Sequence, residues 1–296
     1  MSGEFNRFIE YITKLSNDKK IDFKQATLEV KTHIDSITKQ NVISIVKEIG
    51  IIPEAIEASS SLEKLYSKAS DCLLARCFSE FGMPSIAVNE RGNSADIIAT
   101  SIHGYTLVAD AKTFRLSRTA KNQKDFKIST LSNWRGSEHD FALLVAPYFQ
   151  YPSISSQIYS SALDYQVCLL SWEHILFLLN NDVIENENFS LENIWNAPQR
   201  ISRDKKTAYA DRMNCQFPII DKMVCDRITK DISDFKAHLN NCKIDICNRG
   251  KNELEYLSSV KTEIEKLTRE EAILELLKSK KILERITIIE KFVNSM

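Results

Sequence analysis

Residues 95–112 constrain this chain more than any other segment, because two apolar stretches, each carrying one acid, flank the short connection Ile102, His103 and Gly104. The first stretch is Ala95, Asp96, Ile97, Ile98, Ala99 and Thr100. The second is Tyr105, Thr106, Leu107, Val108, Ala109, Asp110, Ala111 and Lys112. Apolar and β-branched runs of this length on either side of a glycine-containing loop predict a β-hairpin. Side chains alternate along a strand, so the pairing register decides which residues share a face. A register with Ser101 opposite Tyr105 also sets Asp96 opposite Asp110. Lys112 then returns to that face while Ala109 and Ala111 turn away. A two-residue turn shifts the pairing by one and sends Asp96 to the other side.

Two carboxylates on one face repel each other unless a cation stands between them, and hard oxygen ligands favour Mg²⁺ over a transition metal. An ion in such a site polarises a phosphoryl oxygen and acidifies a bound water, while a lysine at the strand end stabilises or helps deprotonate that water. Immediately downstream, Lys112, Arg115, Arg118, Lys121, Lys124 and Lys127 are offset by the single acid Asp125. A cationic strip beside the paired acids suits a polyanion. The Asp-x-Lys spacing alone decides little, since residues 22–24, 125–127 and 234–236 repeat it. Only residues 110–112 end an apolar strand that follows another acid-bearing one. The plainer reading of the same residues is strand-end acids in solvent or ion pairs, beside a solvated basic face.

The run from Val108 to Lys127 resembles, almost residue for residue, the signature block of the HindIII-type restriction endonucleases. Further pieces agree in order: residues 50–56, 63–65, 91–93, 147–152, 171–174 and 268–272, so the resemblance spans nearly the whole chain. It implies an α/β PD-(D/E)xK nuclease core, a mixed central sheet flanked by helices, with helical N- and C-terminal extensions. It also implies a Type II enzyme acting as a homodimer on a palindromic duplex site, AAGCTT by family analogy, cut after the first A to leave 5′-phosphate ends. The family motif falls on Asp96, Asp110 and Lys112 as catalytic residues, with Mg²⁺ held by Asp96, Asp110 and the Ala111 backbone carbonyl. Ala95 stands where the motif's proline would be, and residues 88–90 depart from the family block, so Glu90 receives no role.

The resemblance further implies that the basic strip enters the DNA major groove. There Asn122 has the geometry to pair with adenine, Lys124 to donate to guanine and Ala120 to touch a thymine methyl. Arg115, Arg118, Lys121 and Lys127 complete the DNA-binding set. Asp125 either orients these cations, accepts from a cytosine amino group or approaches a second metal position, or else merely balances charge. Glu63 also has two readings: an acid on the preceding helix that reaches the metal through water, or, three residues after Ser60, a capping residue. A restriction enzyme also implies a methyltransferase that protects host DNA. The reading from a different class is a non-cleaving, sequence-specific DNA-binding protein whose acids are structural.

A net charge of −1 does not oppose DNA binding, because phosphates respond to charge within about 10 Å, the Debye length. No basic start followed by an apolar core and no apolar run near twenty residues is present, so neither a signal peptide nor a membrane span is expected. Seven cysteines without paired Cys-x-x-Cys spacing argue against zinc, and a cytoplasmic location argues against disulfides. Residues 296 in number fit one nuclease domain: a helical layer at 1–53, a catalytic α/β core at 54–180 and a helical extension at 181–296. Helical periodicity is read at 5–15, 24–37 and 42–49, then from Ser60 to about Phe81, where Gly82 and Pro84 stop it. Strands are expected at 85–88, 96–101, 105–110, 141–146 and 166–170, with a crossover helix at 154–165. Helix then dominates, with amphipathic stretches at 222–239, 252–267, 270–278 and 281–293, and a cap at Thr268 and Glu271. The five histidines lack metal-pair spacing, and the three tryptophans read as packing anchors.

Overall fold

The computed structural model describes residues 2–88, 95–118, 123–204 and 216–294, and the chain divides into two compact units, Met1–Asn248 and Arg249–Met296. In the first unit, three helices, α1 (Gly3–Asn17), α2 (Phe23–Ser36) and α3 (Lys39–Ile49), precede the long α4 (Ser61–Glu80). Each starts at a polar cap, Ser2, Asp22, Thr38 and Ser60, whose side chain accepts a backbone N–H that the helix would otherwise leave unpaired. α4 is buried through its middle, between α1 and α2 on one side and strands β1 (Ser85–Ala87) and β2 (Ile97–Thr100) on the other. Leu65, Leu73, Leu74 and Phe78 lose all or nearly all contact with water, each contributing ~1.5–3 kcal/mol. The helix stops where expected: Gly82 has φ +78°, and a Cβ there would lie 3.0 Å from the Glu185 carbonyl oxygen, so a side chain is excluded twice over.

The sheet adds β3 (Thr106–Ala111), β4 (Phe141–Ala146) and β5 (Val167–Ser171) in the order β1-β2-β3-β4-β5. Pairing is antiparallel from β1 to β3 and parallel from β3 to β5, the mixed sheet expected of the nuclease core. Alternate residues feed two apolar clusters. Ala99, Leu107, Ala109, Leu143 and Leu170 join α4 in one, while Ile98, Val108, Leu144 and Leu169 pack with Phe126, Leu131 and Ile158 in the other. This period of two is the pleat expressed as burial.

Boundaries differ from expectation in three places. A helix at Ile128–Arg135 crosses from β3 to β4, where the charge of the preceding strip obscured the apolar pair Ile128 and Leu131 that it buries. The crossover helix before β5 is Gln157–Asp164, shorter than expected because Ser156 caps it and leaves Ile154 exposed. The two stretches read at 222–239 and 252–267 are instead divided as Gln216–Arg227 and one long helix, Ile232–Glu265. Thr229, at φ +56°, turns the chain between them, and the Asp231 side chain accepts from Ser233 N at 2.7 Å to open the second helix.

The second unit is helical: the end of Ile232–Glu265, then Arg269–Ser279 and Ile282–Asn294. Thr268 and Glu271 form the expected capping box of Arg269–Ser279. Among the described residues no helix is long and apolar enough to cross a membrane. The cysteines described are free thiols, five of them buried, and Cys215 lies outside the described residues.

Candidate active site

Loop length sets the hairpin register. Ser101 N donates to the Tyr105 carbonyl at 2.9 Å across Ile102-His103-Gly104, and Gly104 takes φ +86° to close the loop. Pairing then runs Thr100 with Thr106, Ile98 with Val108 and Ile97 with Ala109, which brings Asp96, just ahead of β2, opposite Asp110. Both carboxylates therefore lie at the end of the sheet where β2 begins and β3 finishes. Lys112 follows Asp110 by two residues and its ammonium pairs with the Asp110 carboxylate. The Lys112 backbone is fixed on both sides: its N–H donates to the Val145 carbonyl at 2.7 Å, and its carbonyl accepts from Trp172 Nε1 at 3.0 Å.

A third acid joins them from α4. Asp71, Asp96 and Asp110 each present an oxygen within 4.8 Å of the others, the one such group of potential ligands among the described residues. Lys68, one helical turn before Asp71, lies 2.5 Å from Asp96 and 3.2 Å from Asp71. Asp71 and Asp110 are almost fully buried, whereas the side chains of Asp96 and Lys68 keep roughly a quarter of their surface, so the cluster opens on that edge.

Electrostatics follow from this crowding. Burial, reinforced by Asp96, pushes Asp71 up to about 8 despite Lys68 beside it. Burial likewise raises Asp110, opposed by Lys112. Burial works against the Lys68 charge, but Asp71 and Asp96 outweigh it and hold the ammonium above the usual lysine range. Three hard oxygen donors, short of positive charge and open on one side, fit a divalent cation of the Mg²⁺ type. The sequence reading missed Asp71 and Lys68. The available signal was a lone acid inside the otherwise uncharged buried run 69–75 of α4.

The same shifts predict a pH dependence of the metal-free fold. Native Asp71 keeps its proton to about 8, whereas an unfolded aspartate loses it near ~4. Between those values the native state binds more protons, so stability falls as pH rises and levels off above the folded pKa. Melting temperature in chelator is expected to decline from about pH 5 to pH 8 and to recover at pH 8 on adding Mg²⁺. A flat profile, or no recovery with the metal, would contradict this account of the cluster.

Glu63 lies outside this acid group. Its N–H donates to Ser60 Oγ at 3.1 Å, its Oε2 accepts from Ser59 N at 2.6 Å rather than from Ser60, and its Oε1 pairs with Arg115 at 2.5 Å. It both caps α4 and tethers the first arginine of the basic strip. Arg115 also donates to the Pro53 carbonyl at 2.9 Å, and its own carbonyl accepts from Gln150 Nε2 at 3.1 Å. The strip is further anchored by Phe114, which exchanges backbone hydrogen bonds with Gly50 and Ile52. Gly50 is small for a reason: a Cβ there would lie 3.0 Å from Trp172, the residue that holds the Lys112 carbonyl. Arg118 lies over the Phe114 ring and pairs with Asp125 at 2.6 Å. Lys127 is exposed, at φ +48°, where it ends Gln123–Phe126 and begins Ile128–Arg135. Ala120, Lys121 and Asn122, the Lys124 side chain, Glu90 and residues 91–93 lie outside the described residues.

A second constellation has the form of a hydrolytic triad but not its access. Ser171 Oγ lies 2.9 Å from His174 Nδ1, and His174 Nε2 lies 2.8 Å from Asp221. Ser171 and His174 are completely buried, and the serine hydroxyl accepts from His174 N to cap the helix Trp172–Asn180. No substrate reaches that hydroxyl, and the group is a buried brace between β5 and Gln216–Arg227.

Comparison with known proteins agrees with the geometry. The chain matches the HindIII restriction endonuclease family over residues 6–293. It is 42% identical over 291 residues to the Type II restriction enzyme HindIII of Haemophilus influenzae, covering 98% of this chain and 95% of that one.

Proposed function

Because the chain belongs to the HindIII restriction endonuclease family and is therefore a nuclease acting on double-stranded DNA, we propose that it is a Type II enzyme cutting both strands of palindromic AAGCTT. Cleavage after the first A leaves 5′-phosphate ends. The enzyme works as a homodimer with Mg²⁺, in the cytoplasm, alongside a methyltransferase that protects host DNA. The observation that carries this reading is the trio Asp71, Asp96 and Asp110 at the strand ends, with Lys112 beside Asp110 and a basic strip leading away.

In this mechanism Asp96 and Asp110, with Asp71 from α4 and the Ala111 carbonyl, would hold a divalent metal. When bound, Mg²⁺ withdraws charge from a phosphate oxygen and acidifies a coordinated water. The burial of Asp71 and Asp110 would keep competing water from that side of a bound ion, while the edge at Asp96 stays open. Lys112 is fixed through both its backbone groups and presents its ammonium where negative charge grows on the attacked phosphate or the incoming water. Lys68 pairs with Asp96 and Asp71 and offsets part of the trio's charge, and would give up Asp96 to a bound divalent ion. Arg115 acts through Glu63 and Pro53 to fix the root of the strip, while Asn122, Lys124 and Ala120 read bases and Arg118, Lys121, Asp125 and Lys127 settle the strip against the duplex.

Digestion of a sequenced circular plasmid with Mg²⁺, followed by sequencing of the fragment ends, tests the proposal in one experiment. Ends are expected only within AAGCTT, carrying 5′-phosphates, with no cutting in chelator. Intact plasmid in Mg²⁺, or ends scattered over unrelated sequence, would overturn it.

A further inference from the structure

Glu185 is 4% exposed, lies at the far end of the sheet from the acid trio and, among the described residues, takes its partners from hydroxyls and backbone rather than from a cation. Its Oε2 accepts from Ser101 Oγ at 2.5 Å, and its Oε1 accepts from the Tyr105 hydroxyl and from Leu191 N at 2.5 Å. Trp195 Nε1 donates to that same Tyr105 oxygen at 3.0 Å. Ser101 and Tyr105 are the residues that flank the hairpin loop, and their backbone pairing fixes its register. Residues opposite each other share a face, so one carboxyl group can accept from both hydroxyls only when Ser101 stands opposite Tyr105. His103-Gly104, with glycine second, could also close a two-residue turn, which would set Ile102 opposite Tyr105 and send Ser101 to the other face. The Glu185 acceptor would then be left buried with a partner missing.

We infer that Glu185 is a positioning residue for the metal cluster: by accepting from both hydroxyls it selects the three-residue loop, and with it the register that brings Asp96 opposite Asp110. Its backbone extends the same control to α4. Glu185 N donates to the Phe81 carbonyl at 2.8 Å, and its own carbonyl lies against Gly82, so the end of α4 and the hairpin loop are fixed to one residue. From there the acids lie at similar distances along regular elements. Asp110 is five strand residues beyond Tyr105, ~17 Å, and Asp71 is ten helical residues before Phe81, ~15 Å. A residue that joins both elements at one end therefore decides whether Asp71 and Asp110 meet at the other. His103 Nε2, 3.1 Å from the Phe189 carbonyl, adds a second tie between the loop and the segment that Glu185 begins. The inference rests on the reading of the trio as a metal site, and it names what holds that trio in register.

The test titrates the full-length protein, without DNA, with Mn²⁺ by calorimetry, at a temperature where melting curves show each variant folded. Glu185→Ala keeps the backbone tie to Phe81 and loses the carboxyl group. It is expected to weaken Mn²⁺ binding at least ~10-fold and to lower the single-turnover cleavage rate at saturating Mg²⁺ by a similar factor. Glu185→Gln, whose amide oxygen still accepts from Tyr105, is expected to stay within ~3-fold of wild type in both. A register lock separates positioning from stability. Thr100 and Thr106 stand opposite each other and turn their N–H groups outward, to the Pro84 carbonyl and the Asp140 carboxylate, a pair spacing that a disulfide bridges. Thr100→Cys with Thr106→Cys, added to Glu185→Ala, is expected to restore affinity and rate to within ~3-fold of wild type when oxidised and not when reduced, with oxidised Glu185→Ala as the control for native thiols. If Glu185→Ala does not fold, Ser101→Ala, which removes one donor and keeps the carboxyl group, takes its place with an expected loss of ~3–10-fold. Wild-type Mn²⁺ affinity in that variant, or a lock that restores nothing, would overturn the inference and make Glu185 a brace for stability alone. A wild type that binds Mn²⁺ and cuts no DNA would instead sink the proposed function and leave the positioning role standing.

Discussion

Asp110→Asn is expected to lower the single-turnover cleavage rate by at least ~10³-fold, equivalent to about 4 kcal/mol of transition-state stabilisation, while duplex binding is kept or strengthened. Asparagine preserves the shape of a side chain that is almost fully buried, so the packing around Val108 and Leu144 has no reason to change. What disappears is one negative charge and one hard ligand. Loss of the charge lessens repulsion from the phosphate backbone; loss of the ligand removes a grip on the ion. Stability provides a second readout with the opposite sign. Burial raises the Asp110 carboxyl above its ordinary range, so its ionised form strains the fold at neutral pH. The amide carries no such charge, and melting temperature in chelator is expected to stay level or rise. A protein more stable and less active is what a site kept for chemistry yields on neutralisation. Full cleavage by Asp110→Asn in Mg²⁺ would refute the catalytic assignment and favour a DNA-binding protein with structural acids. A melting temperature lowered by several degrees would instead make Asp110 a structural partner of Lys112.

The parts of this arrangement that were legible in the sequence are those set by neighbours along the chain. The hairpin register depends on a short loop and a two-residue pleat, both local, so spacing paired Asp96 with Asp110 on the condition of the loop length that Ile102, His103 and Gly104 in fact provide. The capping residues Ser60 and Thr268 were legible for the same reason. Asp71 was not. It comes from a helix 25 residues before Asp96, and helical periodicity says which face a residue takes but not which strand end that face meets. Arg115 illustrates the same limit. Its place in a cationic run pointed to phosphate, yet Glu63 and Pro53, more than fifty residues upstream, fold back to hold it. Charge counts along a sequence register supply, and only the fold assigns partners.

Two lysines touch the acid trio, and their replacement is expected to separate two tasks. Lys112→Ala should lower the single-turnover rate by about 10²–10³-fold, the usual cost of removing one donor aimed at developing charge, with cognate binding changed by no more than ~3-fold. Its backbone contacts to Val145 and Trp172 do not involve the side chain, so β3 remains in place. Lys68→Met should do the reverse. In the metal-free protein Lys68 balances Asp71 and Asp96, and removing it leaves buried acids that must take up protons or repel. Because this side chain keeps part of its surface in water, the expected loss in chelator is modest, about 1–2 kcal/mol. Saturating Mg²⁺ supplies the missing positive charge and should restore the melting temperature. Apparent Mg²⁺ affinity should rise, since the ion no longer displaces an ammonium, and the rate at saturating metal should stay within ~10-fold of wild type. Measuring rate and melting temperature for both variants, with and without metal, distinguishes a group acting on the reaction from one keeping the cluster neutral. An unchanged rate for Lys112→Ala would exclude its role at the phosphate. Equal rate losses for both, with no recovery of Lys68→Met stability in Mg²⁺, would mean that Lys68 is also part of the chemistry and not a counter-ion that gives way to the metal.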